Sequence, residues 1–187
     1  MNLNERQWQE FYIKDIFYIE INNRKKFQVP TGALVDKINL KRGMEPRITV
    51  TSLNNGIYDF YSSSDKNYRT HNNFISVSFL GTIFYHPYKA SLDMKVHCLK
   101  LKDKKLNKYL AFFLITEIKK SIEDSSYGNQ LSSTDLPRKK IMLPVNEKGE
   151  PDYLFMADYV RKIEMRKKEL YVNYVRNEIA KFTTGGG

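Results

Sequence analysis

Residues 141–156, IMLPVNEKGEPDYLFM, change character halfway, and their reading decides the fold. Ile141, Met142 and Leu143 form a short apolar strand that Pro144 ends, because proline has no N–H to give a sheet. Residues 146–150 (NEKGE) are polar and turn-forming. Pro151 followed by Asp152 is a helix start, with proline outside and an acidic residue in the first turn. Neither Gly nor Pro then occurs until Gly185. That leaves roughly thirty residues for one helix, about 45 Å long at 1.5 Å per residue.

The apolar positions of this helix are Met156, Val160, Ile163, Leu170 and Tyr174, followed by Val175, Ile179 and Phe182. The stripe drifts between the two sets, as a register shift in a coiled coil does. Arg161, Lys162, Arg166, Lys167 and Lys168 alternate with Glu164 and Glu169 on the other faces. A small domain is too short to cover such a seam, so pairing with another long helix is expected, through Met156, Val160, Ile163, Leu170 and Tyr174. The chain thus divides into a globular domain over 1–150, a spacer and dimerisation helix over 151–183, and a disordered tail over 184–187.

Upstream, strand signals alternate with turns. Residues 8–20 read as extended around a short turn at Lys14 and Asp15, and 22–26 (NNRKK) as a basic loop. RITVTS at 47–52 is a strand that stops at Asn54-Asn55-Gly56 and resumes over 57–61. A polar, basic loop is expected over 62–73 (SSSDKNYRTHNN). Strands follow at 74–79, at 82–85 before Pro87, and at 95–101. Leu106, Leu110, Phe113, Leu114, Ile118 and Ile122 place one apolar face on a helix over 104–122. SSYGNQLSST at 125–134 is a polar loop.

The 187 residues suit one domain with an appendage, or two very small domains. The 41% hydrophobic and 13% aromatic content is enough for a core. A net charge of +10 favours polyanionic partners such as nucleic acid or anionic lipid. The single cysteine, Cys98, rules out an intrachain disulfide and a thiol metal cluster, and its strand setting suits a small buried hydrophobe. The opening MNLNERQWQE does not read as a signal peptide, and the apolar run YLAFFLIT at 109–116 is too short to span a bilayer. A soluble, cytoplasmic protein without membrane contact is expected.

Catalytic patterns are sparse. His71, His86 and His97 lack metal-ligand spacing. No nucleotide-binding or nucleophile motif occurs. Glu117-Ile118-Lys119, with Asp103 upstream, is formally the E-x-K of nucleases, but it lies in the amphipathic helix, where Glu117 and Lys119 are expected to face water. An Asn-Pro-Pro-Tyr loop and a glycine-rich S-adenosylmethionine loop are both missing. A non-catalytic chain with no cofactor of its own is expected.

What remains is a binding constellation of side chains that suit base edges and phosphates. Arg47, Thr49, Ser52, Asn54 and Asn55 lie on or beside a hairpin. Lys66, Tyr68, Arg69 and His71 lie in the basic loop, and Tyr127, Gln130, Lys139 and Lys140 form a second tier. Asn54-Asn55-Gly56 equally fits an ordinary hairpin turn, and Tyr127-Gly128 a helix terminator.

Five stretches together resemble the target-recognition domains of specificity (S) subunits of type I, and type I-like IIB, restriction–modification enzymes. They are WQEFYIKDIF at 8–17, ITVTSLNNGI at 48–57, GTIFY at 81–85, SSYGNQLSSTDL at 125–136, and IMLPVNEKGEPDYLFMADYV at 141–160. The resemblance implies an α/β (α+β) DNA-specificity domain with a mixed curved sheet, followed by a long helix for antiparallel coiled-coil pairing. It implies double-stranded DNA, an adenine DNA methyltransferase (M) subunit and a second copy of the chain as partners, with a restriction subunit as an optional addition. S-adenosylmethionine would sit in the methyltransferase. With one recognition unit and one helix, the chain corresponds to half of such a subunit, either a half-size subunit that homodimerises or a fragment of a longer one; a homodimer would read a split palindrome. The rival readings are an S-subunit-like interaction protein that binds methyltransferase subunits without specific DNA reading, a small DNA nuclease, and a generic basic DNA-binding module.

Overall fold

In the computed structural model, which describes residues 3–102, 104–123 and 130–184, the first strand of the chain pairs with the strand that precedes the long helix. β1 (Trp8–Tyr12) runs antiparallel to β9 (Lys140–Pro144), from Trp8 opposite Pro144 to Tyr12 opposite Lys140. The expected turn at Lys14 and Asp15 is a single helical turn, α1 (Ile13–Ile16), which buries Ile13 and Ile16. β2 (Glu20–Ile21) and β3 (Phe27–Gln28) form a small hairpin around the basic 22–26 loop.

The main sheet contains β4 (Lys41–Ile48), β5 (Ile57–Ser62), β6 (Thr70–Ser78), β7 (Ile83–Leu92) and β8 (Val96–Leu99), in the order β5-β4-β7-β6-β8. β4 and β7 run parallel and the other neighbours antiparallel, so the sheet is mixed. β6 sits in the interior of the sheet, and alternate residues serve two cores. Ile75 and Val77 join the larger core, whereas Phe74 joins a smaller cluster with Ile48, Ala90, Leu92, Val96 and Cys98. Cys98 is fully buried there, and burial pushes its thiol pKa up.

α2 (Lys108–Ser121) covers the larger core with Leu110, Phe113, Leu114 and Ile118, the face read from the sequence. It starts at Lys108 rather than 104 because Asn107 caps it, its side chain accepting from the Leu110 N–H at 2.9 Å. Leu106 is held to the sheet instead. Its N–H donates to Asn73 Oδ1, and its carbonyl accepts from Asn73 Nδ2 and the Tyr85 hydroxyl.

Three boundaries differ from expectation. β4 begins earlier and ends at Ile48, because the Thr51 and Leu53 N–H groups turn to the Thr49 and Thr51 hydroxyls. β6 begins at Thr70, so the basic loop is shorter: Thr70, His71 and Asn72 pair with Ser91, Ala90 and Lys89. β7 runs through Pro87, where the β6–β7 ladder shifts register between Asn72 and Phe74, so no partner needs the missing N–H. Asn73 at this bulge takes φ +53°.

α3 (Tyr153–Thr184) is 32 residues long, about 48 Å. Asp152 starts it by accepting from the Phe155 N–H at 3.0 Å. Its first turn buries Phe155 and Met156. Met156 is fully buried in the domain's own core, so it anchors α3 to the globule and does not belong to the free face with which it was grouped. Beyond Ile163 the cover is lost: Leu170, Tyr171, Tyr174, Ile179 and Phe182 are all more than half exposed. Tyr127 and residues 185–187 lie outside the described residues. Among the described residues no helix is long and apolar enough to cross a membrane.

Candidate nucleic-acid interface

The sheet register brings several candidate residues to one end of the fold. Asp59 on β5, Arg47 on β4, Ser91 on β7 and Thr70 on β6 stand opposite one another in a row across four strands. Arg69 and Tyr68 immediately precede that row and Thr49 follows it.

Arg47 is only 3% exposed. Its Nη2 donates to the Ala33 carbonyl at 3.4 Å and lies 3.6 Å from Asp93 Oδ2. Its Nη1 is buried with no hydrogen-bond partner among the described residues. The guanidinium lies 6.0 Å from the Tyr68 ring centre, and the Tyr68 hydroxyl donates to the Tyr61 carbonyl at 3.0 Å. Gly32 allows this packing, because a Cβ there would stand 2.1 Å from the Leu92 carbonyl oxygen. The segment that carries Ala33 and Val35 therefore closes over Arg47.

The other candidates are placed as follows. Arg69 donates to the Thr31 carbonyl at 3.2 Å. His71 packs edge-on to Phe74 and its Nε2 is buried without a partner among the described residues; burial, then Lys100, lowers its pKa. Asn54 and Asn55 take φ of +47° and +56°, which asparagine tolerates well, and Asn55 donates to the Tyr85 carbonyl at 3.3 Å. Ser52, Asn54, Lys66 and Gln130 are exposed, and Thr49 is half-buried. Lys139 gives its carbonyl to the Ile13 N–H. Lys140 pairs with Glu10 at 2.7 Å across β1 and β9, which raises its pKa. Of the second tier, Lys140 therefore belongs to the small β1–β9 sheet, with Lys139 just before it, apart from the Arg47 row.

Two basic clefts were not singled out from the sequence. Lys14, Lys25 and Lys26 meet Arg138 around a cavity of about 290 Å³, where the 22–26 loop faces the 3-10 turn at Leu136–Arg138. Lys100, Lys102, Lys104 and Lys105 surround another of about 360 Å³ with Asn72 and Asn73. None of Lys25, Lys26, Lys100, Lys102 and Lys105 pairs with a carboxylate among the described residues. The signal was present as NNRKK and as the lysines after β8, but nothing local said which loops they would face.

A third surface lies at the root of α3. Trp8, Phe112, Phe113, Tyr159, Val160 and Ile163 line a groove of about 750 Å³ between α2, α3 and the N-terminal segment. Glu117 also lines it, 7% exposed and bonded to Lys120 at 2.6 Å, which corrects the expectation that it faces water: its helical position turns it toward α3. Glu164 on α3 accepts from Lys168 and from Lys108 on α2, and these bonds hold its carboxyl pKa down at about 2. Val160 packs against the core and lines the groove, and Ile163 is 43% exposed at its edge. Leu170 and Tyr174 are exposed beyond it.

The description "Type I restriction modification DNA specificity domain" matches residues 5–172. The type II restriction enzyme BgcI specificity subunit S.BcgI from Heyndrickxia coagulans is 32% identical over 155 residues, which are 81% of this chain and 45% of that protein. Among solved structures, the type I restriction–modification S subunit from M. genitalium superposes with a TM-score of 0.57 at 16% identity, over 92% of this chain and 43% of that one. The HsdS subunit from Thermoanaerobacter tengcongensis gives 0.60 at 12% identity, over 91% and 40%. A chain of a type I restriction–modification complex gives 0.62 at 14%, over 96% and 44%. The chain thus spans less than half the length of each relative, and the structural likeness carries the mixed curved sheet followed by a long helix. With the family match running from before β1 to the middle of α3, the chain belongs to the type I restriction modification DNA specificity domain family.

Proposed function

We propose that the chain is the DNA-reading specificity component of a restriction–modification system. It reads one half of a bipartite target, recruits an adenine DNA methyltransferase subunit and acts as an antiparallel homodimer through α3. Catalysis and S-adenosylmethionine belong to the methyltransferase, and a restriction subunit is an optional further partner. The observation that carries the reading is α3: a helix of 32 residues, anchored by Phe155 and Met156, whose Leu170, Tyr174, Ile179 and Phe182 are exposed. Isolated helical surface of this kind needs a partner to be stable, and a second copy offers the same stripe in an isologous, closed arrangement. The lysines of the two clefts that have no carboxylate partner among the described residues suit phosphate contacts.

A second reading is favoured by a specific observation. Arg47, Arg69, Asn55 and Lys140 are all engaged within the chain itself, as expected of a protein that binds methyltransferase subunits without reading bases. One experiment separates the two. The chain is co-expressed with the product of the adjacent gene as the candidate methyltransferase subunit, and methylated adenines are mapped. The specificity reading predicts methylation confined to a split palindrome. Stable methyltransferase binding with no site preference supports the second reading, and an asymmetric target contradicts the homodimer.

A further inference from the structure

Arg47 and Thr49 line a cleft of about 450 Å³ together with Val35, Tyr58, Tyr61 and Asp93, within the roughly 300–1,000 Å³ of small-ligand sites. Three features mark it as built for an occupant. The Arg47 side chain is 4% exposed, yet among the described residues its one ion pair, with Asp93, spans 3.6 Å, and its Nη1 is buried without a partner. A buried guanidinium with one donor left unpaired is costly until an acceptor reaches it. Beside it, the Asp93 side chain is 34% exposed and presents acceptors to the same space. Tyr58, 64% exposed on β5, offers an aromatic face.

A donor fork beside an acceptor fork selects one nucleobase. Guanine presents O6 and N7 as paired acceptors and N1–H and the 2-amino group as paired donors. Adenine matches each fork with a single group, and the pyrimidines match less. We propose that this cleft is a guanine pocket, in which Arg47 donates to O6 and N7 and Asp93 accepts from N1–H and the 2-amino group, with the ring against Tyr58. A guanine stacked in a duplex spends N1–H and the 2-amino group on its pair, and the recessed Arg47 does not reach out to it. The occupant is therefore a base outside the stack, either extruded from DNA or carried by a free nucleotide. Its origin in DNA rests on the specificity-domain reading; the pocket does not.

Calorimetric titration of the full chain with GMP, IMP, AMP and CMP tests this. GMP is expected to bind about tenfold or more tighter than AMP and CMP, with IMP, which lacks the 2-amino group, in between. Asp93→Asn keeps the shape and is expected to weaken GMP about tenfold and erase its advantage over IMP. Tyr58→Ala, at an exposed position, is expected to weaken both purines. GMP binding no tighter than AMP, or unaltered by both variants, overturns the pocket. In a second arm, duplexes carrying one bulged guanine or one bulged adenine compete with GMP. Competition by the bulged guanine alone assigns the base to DNA; GMP binding without competition assigns it to a free nucleotide. Loss of GMP selectivity with a sharp methylation pattern sinks the pocket alone, whereas GMP selectivity with patternless methylation sinks the specificity role alone.

Discussion

At the residue scale, the types of side chain at the candidate site were readable, but their commitments were not. Arg47 reads as a donor for DNA, and nothing within a few residues of it announces Ala33 and Asp93, which close on it from a distant loop and a strand end. The buried histidines show the same long-range control. His86 is fully buried, with Nε2 2.8 Å from the Ser76 hydroxyl and Nδ1 3.2 Å from that of Tyr88, and burial lowers its pKa from 6.5 to about 4. Its folded pKa lies below its unfolded one, so as pH falls the unfolded chain takes up the proton first. Stability is intact above pH 6.5 and is lost as pH falls toward about 4, by about 3 kcal/mol for this group. Burial shifts His71 and His97 in the same direction. Urea unfolding at pH 7.5 and pH 4.5 checks this: a clearly lower midpoint at the acid pH is expected, and an unchanged one contradicts a neutral, buried His86.

At the element scale, periodicity carried most of the information. The α2 face and the abrupt start of α3 follow from local spacing and from Pro151-Asp152, because 3.6-residue patterning and capping are short-range physics. Strand limits were less legible. Pro87 reads as a stop, yet β7 passes through it, since the bulge opposite Asn73 removes the need for an N–H there. Likewise His71 reads as loop and stands in β6, because pairing with Ala90 overrides its polar neighbours. Asp152 offers a direct test. Its carboxylate accepts from the Phe155 N–H, so Asp152→Ala is expected to lower unfolding free energy by about 1 kcal/mol. Denaturant titration measures it. The Arg6 guanidinium, 3.5 Å from the same carboxylate, loses its partner in that variant too, so a change near zero contradicts the capping role.

At the scale of the whole molecule, the account rests on how two copies meet. The sequence showed that α3 outruns its domain; only the fold showed where its cover ends, with Val160 and Ile163 in the groove and Leu170 and Tyr174 past it. Leu170 lies on the apolar stripe but is 56% exposed in the single chain, so Leu170→Glu is expected to leave the domain folded and to yield a monomer by light scattering at micromolar concentration. The most direct test is pulsed electron spin resonance on chains labelled singly at Arg161, Lys168 or Asn177. The native Cys98 is fully buried and so does not compete for the label. Antiparallel pairing about the middle of α3 predicts a distance that is shortest at Lys168 and larger toward both ends, about 27 Å of axial separation at Asn177 from 1.5 Å of rise per residue in each helix. Equal short distances at all three positions, or no intermolecular coupling at any of them, would contradict it.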